Sequence, residues 1–255
     1  MILAERKRGF NDLRVFLTEL IDPLPYLSRN VGLSGNQLKI IALIAMTCDH
    51  VGKELLPGIN VLQIVGRLAF PIFAYMIAEG CRYTRNRRKH LLNVAGLAIL
   101  CQVVYFIAEG SLFQCILVTF SLSICMIYGI DHAGKLRTVR GWAGAAAICT
   151  SVYFISVMLP IILKNTDFAV DYGFWGILLP VFVYFAPEYL KVPMTAAGLV
   201  PLCLELGGIQ WYSLVAVVLL MFYSGKRGKV NMKNLFFTYY PLHLVCIYLL
   251  GLFIA

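Results

Sequence analysis

The sequence predicts an all-α polytopic membrane protein, a transmembrane helical bundle of about nine spans with its N-terminus in the cytoplasm. Three observations lead there. Hydrophobic residues make up 60% of the 255-residue chain and its mean hydropathy is +0.79, against roughly 45–50% apolar content in soluble domains. The apolar residues gather into runs near the length that a hydrocarbon core of about 30 Å requires. Basic residues recur in alternate connections between those runs.

Residues 1–37 read as a cytoplasmic N-terminal segment and 38–255 as a single transmembrane domain. Within the first segment, FNDLRVFLTELIDPLPYLSR (10–29) alternates apolar and charged positions at helical spacing until Asp22-Pro23. This predicts an interfacial helix on the inner leaflet. The charges that follow the first four residues, and the lack of a small-residue cleavage site after an apolar run, argue against a cleaved signal peptide. Spans are expected at 38–55, 61–80, 91–108, 112–130, 142–163, 173–189, 193–207, 210–224 and 234–254. The seventh and eighth are short and separated by the LGGIQ turn, so a re-entrant hairpin is their alternative.

Loop charge sets the orientation. One set of connections holds Arg6, Lys7, Arg8, Arg14 and Arg29, then Arg82, Arg85, Arg87, Arg88 and Lys89, then Lys135, Arg137 and Arg140, then Lys191, then Lys226, Arg227, Lys229 and Lys233. The opposite set holds Lys53 and Lys164. The positive-inside rule therefore places the N-terminus in the cytoplasm and, with an odd number of spans, the C-terminus outside. Topology accounts for the net charge of +9 without nucleic acid. Of the eight cysteines, Cys48, Cys101, Cys115, Cys125, Cys149, Cys203 and Cys246 fall in or beside apolar spans and read as small hydrophobes. Cys81 adjoins a basic loop facing a reducing cytosol, where disulfides are rare.

Ionisable groups inside spans are the candidate functional residues, because each is costly in lipid. The first span, LKIIALIAMTCDHVG, carries Lys39, Asp49 and His50. Eleven residues are about three helical turns, so His50 stands on the face of Lys39 about 16.5 Å further along. The competing reading has Lys39 snorkelling to the interface and His50 as a satisfied packing residue. In the second span Arg67 lies toward the outer end and Glu79 toward the inner end. Pro71 removes the donor for the carbonyl of Arg67 and predicts a kink there. Arg67 is expected to pair with Asp49 or Glu54, or else to polarise a reacting carbonyl. In the last span, bent at Pro241, Tyr239 and His243 are four apart and share a face, either lining a pocket or forming an interfacial packing cluster.

Several chemistries are disfavoured. There is no HExxH pair for zinc, and contact between His50 and His243 does not follow from their positions. No metal is implied. No GxSxG elbow or Gly-rich phosphate loop follows a strand pattern. An imidazole in apolar surroundings can act as general base toward an incoming amine or hydroxyl. The TRNRRK loop (84–89), with Arg82 beside it, suits phosphate oxygens of a cytosolic ligand or of anionic lipid.

The segments LKIIALIAMTCDHVG (38–52), IVGRLAFPIFAYMIAEGCRYTRNRRK (64–89) and YYPLHLVCIYLL (239–250) resemble the signature regions of TraX-type proteins, a family that includes the membrane enzyme N-acetylating pilin in bacterial conjugation systems. Lys39 and His50 also resemble the Lys/Arg-x10-His motif of a wider group of integral-membrane acyltransferases, with Lys in place of Arg and so fewer fixed donors for a phosphate. The resemblance implies acetyl-CoA as co-substrate and an acceptor peptide or sugar at the outer face. Under it, Lys39, Arg82, Arg85, Tyr239 and His243 become candidates for holding the donor, with the Lys226–Arg227 loop as an alternative entry. His50, Asp49 and Arg67 become candidates for the chemistry. His50 would serve as general base in direct transfer, or as the acyl carrier in an acetyl-histidine route. Asp49 cannot orient His50 from the adjacent helical position, so its partner is expected to be Arg67 or a group on another helix. A proton-coupled small-solute transporter and a noncatalytic membrane assembly protein are the alternatives. No inverted repeat favours the transporter.

Overall fold

A computed structural model describes residues 32–229 and 233–254 of the protein. The interfacial helix expected at 10–29 lies outside the described residues. Helical rods occupy all of the expected span positions, and among the described residues strand pairing is limited to the isolated bridges Leu33 with Tyr223 and Gln114 with Val170.

The first rod is α1 (Gly35–His50), prolonged by a π-helical turn at Val51–Leu55. It starts three residues before hydropathy alone suggests because Ser34 and Gln37 form a capping box. Gln37 N donates to Ser34 Oγ at 3.3 Å and Ser34 N donates to Gln37 Oε1 at 2.8 Å. The second rod is broken into α2 (Asn60–Gly66) and α3 (Ala69–Tyr83) at Arg67 and Leu68. This is the interruption expected from Pro71, which sits in the first turn of α3, where a missing N–H is tolerated.

α4 (Arg87–Glu109) is capped by the Asn86 side chain, which accepts from Lys89 N at 2.9 Å, and it ends at Gly110 with φ 66°. α5 (Ile116–Leu136) is followed by α6 (Val139–Tyr153), which passes through a π-turn at Phe154–Met158 into α7 (Leu159–Ile162). Then come α8 (Gly173–Phe185), α9 (Lys191–Leu206), a 3₁₀ stretch at Gly208–Leu214 leading into α10 (Val215–Met221), and α11 (Lys233–Ile254), which continues as helix through Pro241.

By length and composition five of the described helical stretches can cross a membrane, at Asn60–Tyr83, Arg87–Glu109, Ile116–Leu136, Val139–Ile162 and Glu188–Leu206. The seventh expected span thus reaches crossing length. The eighth, Gly208–Met221, is shorter. The return between them is made at Gly207 and Gly208, whose φ values of 63° and 51° suit residues without Cβ.

α3 is the central element. It buries Phe70, Ile72, Ala74, Tyr75, Met76, Ala78, Glu79 and Cys81, whereas the longer α4 buries Val94, Ala98 and Cys101 and turns Leu92, Ile99 and Ile107 outward. That pattern suits a helix in contact with lipid. The two ends of the bundle differ in charge. At the end that the positive-inside rule assigns to the cytosol, Arg82 pairs with Glu188 at 2.7 Å, and Asp131 pairs with Arg87 at 2.6 Å and Lys135 at 2.8 Å. There too the 222–227 segment is tied to the start of α1, with Gly35 N donating to Lys226 O at 2.8 Å and Asn36 N to Arg227 O at 3.0 Å. At the other end Gln114 N donates to Ala169 O at 2.8 Å and Asp171 N to Gln114 O at 3.0 Å, closing one loop over another.

Candidate functional site

His50, the last residue of α1, meets His243 of α11. Their ring centroids are 5.1 Å apart at 57°, and His50 Nδ1 lies 3.3 Å from His243 Nε2. The backbone carbonyls assign the tautomers. His50 Nδ1 is 3.0 Å from Met46 O, and His243 Nδ1 is 3.0 Å from Tyr239 O. A carbonyl only accepts, so for neutral rings each Nδ1 carries the proton. His243 Nε2 then holds a lone pair toward the His50 Nδ1–H, and His50 Nε2 is left as the basic atom of the pair.

The α11 partners are placed by their spacing. Tyr239 stacks on His243 at 5.3 Å and 11°, as the i,i+4 relation predicts, and Tyr240 meets His243 edge-on at 5.3 Å and 73°. Tyr239 OH is 2.6 Å from Thr47 Oγ1, which itself donates to Leu43 O at 2.9 Å. A chain of hydrogen bonds therefore docks α11 on α1 beside the histidines.

Asp49 points away from His50 and into an ionic cluster. It pairs with Arg67 and, at 2.5 Å, with Lys53. Arg67 also donates through Nη1 to Gln210 Oε1 at 3.3 Å and through Nε to Gln63 O at 3.4 Å. The break between α2 and α3 puts Arg67 where it can reach α1. Gly66 permits the close crossing, since a Cβ there would overlap Asp49. Of the partners foreseen for Arg67, Asp49 is the one it takes.

At the basic end of the bundle lies a cavity of about 700 Å³. Lys39, Asn36, Asn86, Lys89 and Arg227 line its polar part, and Leu43, Leu117, Phe120 and Tyr240 its apolar part. Tyr240 is the link between the two features, because the same ring that walls the cavity touches His243. Lys39 thus stands at the cavity. Arg82 is engaged by Glu188, with a second bond from Nη2 to Tyr184 O at 3.5 Å, and Arg85 is exposed; neither is among the cavity's lining residues.

Sequence reasoning did not single out Lys89 within the TRNRRK loop or assign a partner to Glu79. Glu79 lines the cavity and is bonded by Lys191, a residue read from sequence as a loop charge but only 1% exposed. Position in a basic loop was the available signal for Lys89 and Arg227. For Lys191 the local sequence carries none.

Comparisons with known proteins agree with the signature regions. The chain is 25% identical over 246 aligned residues to a protein of Dichelobacter nodosus described as "Probable fimbrial assembly protein FimC, serogroup H1", covering 86% of this chain and 96% of that one. It is 31% identical over 128 residues to an uncharacterised protein of Rickettsia prowazekii (strain Madrid E), covering 50% of this chain and 40% of the other. No solved structure matches. The family model for the TraX protein matches residues 34–251, a stretch that includes α1, the cavity-lining residues and the histidine pair, and the chain belongs to the TraX family.

Proposed function

We propose that this protein is a membrane-embedded acetyltransferase of the bacterial inner membrane, passing acetyl from cytosolic acetyl-CoA to an amine or hydroxyl near the outer face. The observation that carries the reading is the cavity itself. It is lined by Lys39, Lys89 and Arg227 as well as by apolar side chains, and its wall residue Tyr240 touches His243, the partner of His50. The cationic side chains suit the phosphates of the donor. The apolar lining suits a pantetheine arm, and the rise from Lys39 to His50, about 16.5 Å along the helix, is of the order of that arm's reach.

In the proposed reaction the acceptor's lone pair attacks the thioester carbonyl while His50 Nε2 removes the acceptor's proton. Collapse of the tetrahedral adduct breaks the C–S bond. The departing thiolate takes the proton back from the imidazolium, giving acetylated acceptor and free CoA. His243 Nε2 and Met46 O together hold the His50 tautomer that leaves Nε2 available, and the Asp49–Arg67 cluster braces the end of α1. The name of the D. nodosus relative suggests a surface-filament subunit as acceptor, with a peptide N-terminus or a glycan as the group modified.

That same name favours a second reading, a noncatalytic factor in filament assembly. Turnover separates the two. Purified protein incubated with labelled acetyl-CoA and a cell extract should release CoA thiol and label a defined product. Absence of any acetyl-CoA consumption, with folded protein and extract from a strain expressing the acceptor, would favour the assembly role.

A further inference from the structure

The buried charge at Lys191 has no part in the chemistry above. Its Nζ pairs with Glu79 and lies 3.0 Å from Glu188 Oε1, and its side chain is 1% exposed. Glu79 in turn accepts from Tyr223 OH at 3.3 Å, and both Glu79 and Tyr223 line the cavity that holds Lys39, Lys89 and Arg227. Lys191 stands behind this wall and is not one of its lining residues. Joining helices is a weak explanation for such a pair, because replacing a buried ion pair with apolar side chains is often neutral or stabilising. A carboxylate on the wall of a basic cavity is also electrostatically wrong for an anionic ligand unless something cancels it.

We propose that Lys191 is a positioning residue for the anionic ligand of the inner cavity, acting by neutralising Glu79 so that this carboxylate does not repel the ligand locally while Glu79 still holds the Tyr223 phenol. With Lys191 in place, the lining charges of Lys39, Lys89 and Arg227 are set against a compensated carboxylate. Without it, Glu79 faces the ligand phosphates as a bare like charge in a site of low dielectric, where repulsion is strong. The inference rests on the acetyl-CoA reading of this cavity and adds to it the group that cancels the charge of Glu79.

The test titrates full-length protein in nanodiscs with CoA and with pantetheine, which shares the arm but lacks the phosphates. Lys191→Met should weaken CoA by at least about tenfold and leave pantetheine within about threefold, since only the anion meets the unmasked carboxylate. Combining Glu79→Gln with Lys191→Met should return CoA affinity to within about threefold of the parent, a coupling that a double-mutant cycle reads directly. Unchanged CoA binding by folded Lys191→Met would overturn the proposal, as would equal weakening of CoA and pantetheine, the mark of general packing loss. If Lys191→Met does not fold, Glu79→Gln decides: CoA binding as tight as the parent's or tighter upholds the proposal, and weaker binding overturns it. A parent protein that binds no CoA would instead bring down the acetyl-CoA reading on which this rests.

Discussion

The two ring nitrogens of His50 have different tasks. Nδ1 is occupied by Met46 O and His243 Nε2, and in the proposed reaction Nε2 is the atom left for proton transfer. His50→Ala should therefore retain folding and donor binding while acetyl transfer falls by a factor on the order of 10²–10⁴, read with labelled acetyl-CoA. Transfer at the parent rate would remove His50 from the mechanism. In the proposed reaction His243 acts through His50, so its substitutions should alter the tautomer as well as the rate. In His243→Leu only Met46 O is left to hold Nδ1–H, and ¹⁵N spectra of His50 should reveal a larger Nε2–H share than in the parent, whereas His243→Gln, whose carbonyl can still accept, should keep the parent populations and lose less activity. Identical tautomer populations in all three proteins would contradict the assigned role.

At the scale of helices, the crossing of α1 over α2 depends on Gly66 and on the Asp49–Arg67 pair. Gly66→Ala inserts a Cβ into the space of Asp49 and should destabilise the protein by about 1–3 kcal/mol, as overpacking does. Arg67→Ala should be worse, about 3–5 kcal/mol, because Asp49, 8% exposed, loses its buried partner and keeps Lys53, which reaches solvent. Both follow from denaturant midpoints in a fixed detergent. An Arg67→Ala protein as stable as the parent would mean that Lys53 alone suffices. The same break that frees Arg67 was readable in advance from Pro71, since loss of a backbone donor is a local property. That Asp49 would be the partner rather than Glu54 was not, because it depends on which face of α1 meets α2.

For the molecule as a whole, the division into a basic end and an opposite end predicts sidedness. In a cysteine-free background, single cysteines at Arg85 and Arg227 should react with a membrane-impermeant reagent in inverted vesicles and not in intact cells, and one at Lys164 should do the reverse. External labelling at Arg85 would overturn the orientation. The cavity adds a second prediction at this scale. Lys89→Ala and Arg227→Ala should each weaken CoA binding by about 1.5–3 kcal/mol with unchanged melting temperature, while Arg85→Ala, outside the cavity wall, should leave CoA affinity unaltered. A loss confined to Arg85→Ala would relocate the phosphates to the loop surface.

The helical positions follow from the sequence alone because hydropathy, capping and proline act within a turn or two of chain. Pro71 and the shared face of Tyr239 and His243 are of this kind, and the Ser34–Gln37 box that starts α1 ahead of the expected residue 38 is equally local. So is the family, carried by short contiguous segments. What only the tertiary structure decided are relations between residues far apart in the chain: His50 beside His243, Glu79 backed by Lys191, Lys89 and Arg227 on one cavity wall, and Arg82 withdrawn to Glu188. Each depends on how helices are rotated and at what depth they meet. That is set by the packing of many side chains at once, and the same local pattern leaves a lysine such as Lys191 equally able to face water or a buried carboxylate.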